Sequence, residues 1–173
     1  YFCSRASHVE PHTATQPRAQ EQNMIYPPKT YADWIALLAL FKERGHDEEV
    51  LAAMQEGSLS WQSGVAERFT AQLMNAVEVR LGAASEVFSR SMQHARDERE
   101  TIAALLGLRR TLSFLLRAVD LPALPKEQRA ALCKMVAEHA ERMQESLLDT
   151  ARSDRTGRMM SIVRSHRVSD LTH

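Results

Sequence analysis

From Trp61 onward, apolar side chains recur in steps of three and four for ten positions: Trp61, Val65, Phe69, Leu73, Val77, Leu81, Ala84, Phe88, Met92 and Ala95. That period puts all ten on one face of an α-helix, whereas the two-residue period of a strand would scatter them over both faces. The spacing predicts a helix from an N-cap at Ser60 to about Arg96, ~50 Å long, with a rhythm close to that of a coiled coil. The rest of the chain has to supply the surfaces that cover this stripe. Glycines at 64 and 82 weaken the helix without stopping it.

Two further long helices follow. The run Arg96–Glu100 carries five charges and no apolar residue, and it reads either as a solvated corner or as a charged stretch of one continuous helix. The pattern resumes at Ile102, Leu105, Leu106, Leu112, Leu116 and Val119, the most apolar part of the chain and so the expected central helix. Pro122 and Pro125 end it, and Pro125 suits the start of a last helix running from about Lys126 to Ala151. That helix carries Leu132, Met135, Val136, His139, Met143 and Leu147 on one face.

Ahead of the stripe lies a short helical hairpin. Thr30 is a good N-cap with Asp33 three residues on, and Tyr31, Trp34, Ile35, Leu38 and Phe41 form the expected buried face up to a stop at Gly45. A second helix is expected from Asp47 to Glu56, with three acids in its first turn, Val50, Leu51 and Met54 buried, and Gly57 as its end. The predicted fold is therefore all-α, an antiparallel helical bundle of three long helices plus a short N-terminal helical hairpin. Phe69, Phe88, Leu105, Leu112 and Leu116 are its expected core. No repeat of solenoid period is present.

The bundle domain is expected over 30–151. Residues 1–29 read as a disordered leader, polar and without apolar periodicity. Its first Met is Met24, so residues 1–23 are either foreign to the native chain or a natural disordered arm. Residues 152–173 read as a basic, partly flexible tail, with Met159, Met160, Ile162 and Val163 available to dock. Cys3 and Cys133 lie in unlike settings, which suits a reducing compartment rather than a disulfide. No apolar run nears the ~20 residues of a membrane span, and no secretory signal pattern is present, so a cytoplasmic protein without a membrane partner is expected.

Catalytic, cofactor and metal patterns are not found. The one Glu-x-x-His match to the di-metal bundle pattern, Glu43 to His46, is interrupted by the expected helix stop at Gly45. Neither Cys-x-x-Cys nor His-Glu-x-x-His occurs. His139 reads first as a boundary histidine bonded to a neighbouring helix, and second as a general base beside Glu138 or Glu141. Cys133 reads as a semi-buried thiol, since no base or cationic group can be assembled around it. An enzyme hidden between helices is the third-ranked reading.

Charge is distributed more tellingly than any motif. The chain has zero formal net charge. Residues 30–57 nonetheless hold six acids against two bases, and residues 151–173 hold five arginines (Arg152, Arg155, Arg158, Arg164 and Arg167) against two acids. That tail is read first as solvated, then as a strap on the acidic hairpin of its own or a neighbouring chain, then as a phosphate grip for nucleic acid assisted by Arg109, Arg110 and Arg117. The leading function is a non-enzymatic interaction protein that oligomerises or docks a partner helix. The stripe of residues 61–95 is longer than a short hairpin covers, and large exposed apolar surface is uncommon on monomers. A homodimer is the simplest expectation, with another helical protein as the alternative partner.

Overall fold

Thr30 starts the first helix as its spacing predicts: its hydroxyl accepts the Asp33 N–H at 3.2 Å, and the Asp33 carboxylate accepts the Thr30 N–H at 2.9 Å. This reciprocal cap satisfies two donors that no helical carbonyl reaches. In this computed structural model residues 25–59 and 64–165 are described. Six helices lie among them: α1 (Tyr31–Glu43), α2 (Asp47–Glu56), α3 (Val65–His94), α4 (Glu98–Val119), α5 (Lys126–Ser153) and α6 (Arg158–Ser165). No strand occurs among the described residues, and no described helix is long and apolar enough to cross a membrane. The expected N-cap Ser60 and the first stripe residue Trp61 lie outside the described residues.

The charged run between α3 and α4 is a corner. The Asp97 carboxylate accepts the Glu100 N–H at 2.9 Å, and the Glu100 carboxylate accepts the Arg96 N–H at 2.6 Å. These side chains cap the α4 N-terminus, where negative charge is favoured. Folded back at this corner, the two helices pack along their length. Arg80 on α3 lies against Phe114 on α4, while His94 and Glu100 flank the turn.

α4, the expected central helix, packs against α2, α3 and α5, as α3 does against α1, α4 and α5. This changes its buried face. Leu105, Leu112 and Val119 are buried as expected, but so are Leu108, Phe114, Leu115 and Ala118. Leu116 is only partly buried and Leu106 is 45% exposed. The buried side chains of α4 extend beyond one stripe, so a one-sided periodicity undercounts its core. On α3, Phe69, Leu73, Val77, Leu81 and Ala84 are buried, while Phe88 and Met92 are partly so. On α1 the buried face is Trp34, Leu37, Leu38 and Phe41, rotated so that Tyr31 and Ile35 stand exposed.

Packed residues occur on both sides of the expected 30–151 span. The expected disordered leader ran to residue 29, yet Pro28 is buried and its carbonyl accepts the Ser58 N–H at 3.0 Å. Gly57 makes this possible, because a Cβ there would stand 2.6 Å from the Trp34 ring and 2.8 Å from Pro28. At the other end, residues read as a frayed or extended tail form α6, which packs on α5 and buries Ile162 and Val163. The Asp154 carboxylate arranges that turn, accepting the Thr156 and Met159 N–H groups, both at 3.0 Å. The same bonds hold its carboxyl below the ordinary carboxylate range.

The contrast between two leucines of α4 tests the assignment of its faces. Leu112→Ala should cost about 2 to 5 kcal/mol in urea unfolding, as a fully buried large-to-small change. Leu106→Ala should stay within about 0.5 kcal/mol of the parent. Equal costs would mean that the buried face of α4 is misplaced.

Candidate functional site

Four of the five arginines picked out in the tail lie among the described residues, spread over α5, the turn after it and α6. Arg152 ends α5 and pairs with Asp149 at 3.0 Å, both side chains exposed. Arg155 lies in the α5–α6 turn, and Arg158 and Arg164 sit at opposite ends of α6, all exposed. Arg167 lies outside the described residues. Arg158 shares a shallow depression with Arg96, Asp97, Glu98 and Thr101 at the α3–α4 corner. Arg109 and Arg110 are eight and nine residues beyond Thr101 along α4, ~12 Å or more of helical rise away. The described part of the tail therefore packs by the α3–α4 corner and α5.

Three other candidate groups have settled structural roles. His139 is partly buried on α5, with Nε2 3.1 Å from the Ser85 hydroxyl on α3. That hydroxyl is 3.0 Å from the Leu81 carbonyl. Since Ser85 has one proton to give to that carbonyl, the arrangement is satisfied when Nε2–H of a neutral His139 donates to Ser85. Burial, and then the Arg142 charge, push the imidazole pKa below its ordinary value. The Cys133 thiol is free and half-buried, and burial and then the Asp120 carboxylate push its pKa up, away from a reactive thiolate. Glu43 ends α1 and His46 is the N-cap of α2, so the two do not share a helix face. No group of three or more His, Cys, Asp or Glu suited to hold a metal occurs among the described residues.

The one charged side chain fully inside the protein among the described residues is Arg80, 3% exposed. Its guanidinium donates to both carboxylate oxygens of Asp47, at 2.9 and 2.7 Å, and to the Phe41 carbonyl at 2.8 Å. It also lies 5.2 Å from the centroid of the Phe41 ring and 5.1 Å from that of Phe114, which stack on each other. One cation thus ties the end of α1 and the start of α2 to α3 and α4. The connection it braces is tight: Arg44 takes φ +55°, the only non-glycine positive φ among the described residues.

The hairpin so anchored covers only part of the valley between α3 and α4. Trp34 meets Phe69 edge-on at 5.0 Å, and Gln55 donates to the Arg117 carbonyl at 2.8 Å. Both contacts lie toward one end of the α3–α4 pair, and cover stops at the Arg44–His46 turn. Past it the valley opens as a groove of about 700 Å³. Its floor is apolar and mostly small: Ala84 and Phe88 from α3, and Ala103, Ala104, Gly107 and Leu108 from α4. Val87, 49% exposed, forms part of its wall. Arg44, Asp47 and Arg80 close one end, and His94, Arg96 and Glu100 flank the other.

Reading the sequence missed both features. An arginine set between Val77, Leu81 and Ala84 on the stripe was the available signal for a buried cation. The spacing of Ala103 and Gly107, four apart on one helix face, was the signal for a groove of small residues.

Two measurements follow from this geometry. Asp47→Ala should cost about 2 to 4 kcal/mol, below the fully buried limit because the carboxylate side chain is 41% exposed. Arg80→Lys should not be neutral, since one ammonium cannot reproduce the fork on Asp47 while also serving the Phe41 carbonyl. Denaturant unfolding reads both, and an Asp47→Ala variant as stable as the parent would remove the pair from the account of the fold. For His139 the folded pKa lies below the unfolded one, so near pH 6 the unfolded chain binds more protons and stability rises with pH. Its contribution is present above the unfolded value near 6.5 and is lost as pH falls toward the folded value. His139→Gln should therefore lose less stability than the parent between pH 7.5 and pH 5.5; parallel melting curves would refute this.

No protein-family model, curated protein or solved structure matches the chain.

Proposed function

We propose that this chain is a non-enzymatic, cytoplasmic interaction module, an antiparallel helical bundle that receives a helix from another polypeptide in the groove between α3 and α4. The observation that carries this reading is the incomplete cover of that valley. The α1–α2 hairpin occupies one end of it and leaves the other lined by apolar and small side chains. Apolar surface of this kind, rimmed by charge, is what a docking helix buries. The free thiol of Cys133 is consistent with a reducing compartment.

A homodimer is one version of the reading, in which a second copy covers the groove. The sequence argument for it was the unmatched length of the α3 stripe. Much of that length is covered within the chain, by α1, α4 and α5. A groove-to-groove pair would also set Arg44 and Arg96 of one copy against the same residues of the other, a repulsion that opposes symmetric closure.

Sedimentation equilibrium at micromolar concentration should therefore show a 19.6 kDa species. Fluorescence anisotropy should show saturable binding of at least one labelled amphipathic helical peptide from a set that varies flanking charge. If no helical peptide of either charge binds and no dimer forms, the interaction reading falls.

A further inference from the structure

The charge around the groove selects among the helices that would fill it, and this step rests on the docking role proposed above. Arg44 and Arg96 stand at its two ends. Arg99 and Arg110 lie four residues before and seven after Ala103, which places them along the same ridge of α4. All four are exposed, and none forms an ion pair with a carboxylate among the described residues. Among the nearby acids, Asp47 holds Arg80 and Glu86 pairs with Arg90. Asp97 and Glu98 line the other depression, beside Arg158, while Glu100 accepts the Arg96 N–H and keeps its charge. Four arginines against Glu100 and, beside Arg44, Glu43 leave the rim net positive around an apolar floor.

The floor sets the shape of the occupant. From Ala84 to Arg96 the groove runs ~18 Å along α3, about three helical turns. Alanine and glycine on both walls allow a helix axis to approach closely. A Cβ built on Gly107 meets nothing within 4 Å, so the space above that residue is open. We infer that the groove binds an acidic amphipathic helix of another protein, its apolar stripe on Phe88 and Leu108 and its flanking carboxylates on Arg44, Arg96, Arg99 and Arg110.

The test uses the full chain and two labelled peptides of about 18 residues, five turns. One carries leucines at helical spacing flanked by glutamates; the other has every glutamate replaced by lysine. At about 0.15 M salt, the glutamate peptide should bind saturably and at least about tenfold more tightly than the lysine peptide. Gly107→Leu adds a Cβ that meets nothing within 4 Å and a side chain that projects into the groove, so it should melt no lower than the parent yet lose at least about tenfold in affinity. Gly82→Leu, also into open space but outside the groove lining, should bind as the parent does. Arg96→Glu with Arg110→Glu should reverse the preference between the peptides. Equal affinity for both peptides would overturn the inference while leaving the docking role standing. Binding that ignores Gly107→Leu would overturn the site. A dimer, or retention on anionic phosphatidylserine vesicles, that Gly107→Leu abolishes would assign the groove to a second copy or to a lipid surface, and the inference would fail.

Discussion

The buried guanidinium of Arg80 sets how the two ends of this molecule relate. Removing such a cation from water costs several kcal/mol, and four groups from three other helices or their ends offset it. The Asp47 carboxylate neutralises it, the Phe41 carbonyl accepts from it, and the stacked rings of Phe41 and Phe114 present their faces to it. The same contacts deal with difficulties of the hairpin itself. The Phe41 carbonyl belongs to the last turn of α1, where helical carbonyls lack intrahelical donors. Asp47 is the first residue of α2, where a negative charge meets the positive end of the helix. The Arg44 backbone, held at positive φ between them, costs strain that this network has to outweigh.

Anchoring the hairpin at its turn also limits its reach. α1 has 13 residues and α2 has 10, against 30 in α3 and 22 in α4. With the α1–α2 turn fixed beside Arg80, the hairpin extends toward Phe69 and the C-terminal end of α4. The opposite stretch, from Ala84 to the corner, receives α5 on one side through Ser85, His139 and Met143 and stays open on the other. The groove therefore follows from where one ion pair sits and how short two helices are.

Much of this was legible in the sequence, and the misses share a cause. The capping residues Thr30 and Asp33, the limits of α2, and the prolines that end α4 act locally, and local chemistry fixed those boundaries. The corner at Asp97 was open between two readings because charge alone does not tell a cap from a solvated turn of helix. Which way α1 faces depends on its neighbours, so Leu37 replaced Ile35 in the core. Arg80 was passed over because its partner at Asp47 is 33 residues away and pairs with it only once the hairpin has docked. The tail was read from its arginines, but its structure comes from Ile162 and Val163 on one face and the Asp154 turn before them. Of its arginines, the four among the described residues are spread over the end of α5, the turn and α6, all exposed.

The composition of the groove explains how it can stay open in the isolated chain. Exposed apolar area is penalised roughly in proportion to its extent, and alanine and glycine expose little. Leucines at 103, 104 and 107 would fill the valley or make an exposed patch large enough to aggregate. With small residues there, the larger apolar groups are confined to a half-buried Phe88, a buried Leu108 and the exposed edge of Val87. A partner helix would then gain less from area than from close approach, and close approach of backbones makes flanking charges count, because they are brought near one another as water is displaced. If a helix docks there as proposed, a basic rim around a small-residue floor would place its selection in the charges, while the floor would set only that it be a helix.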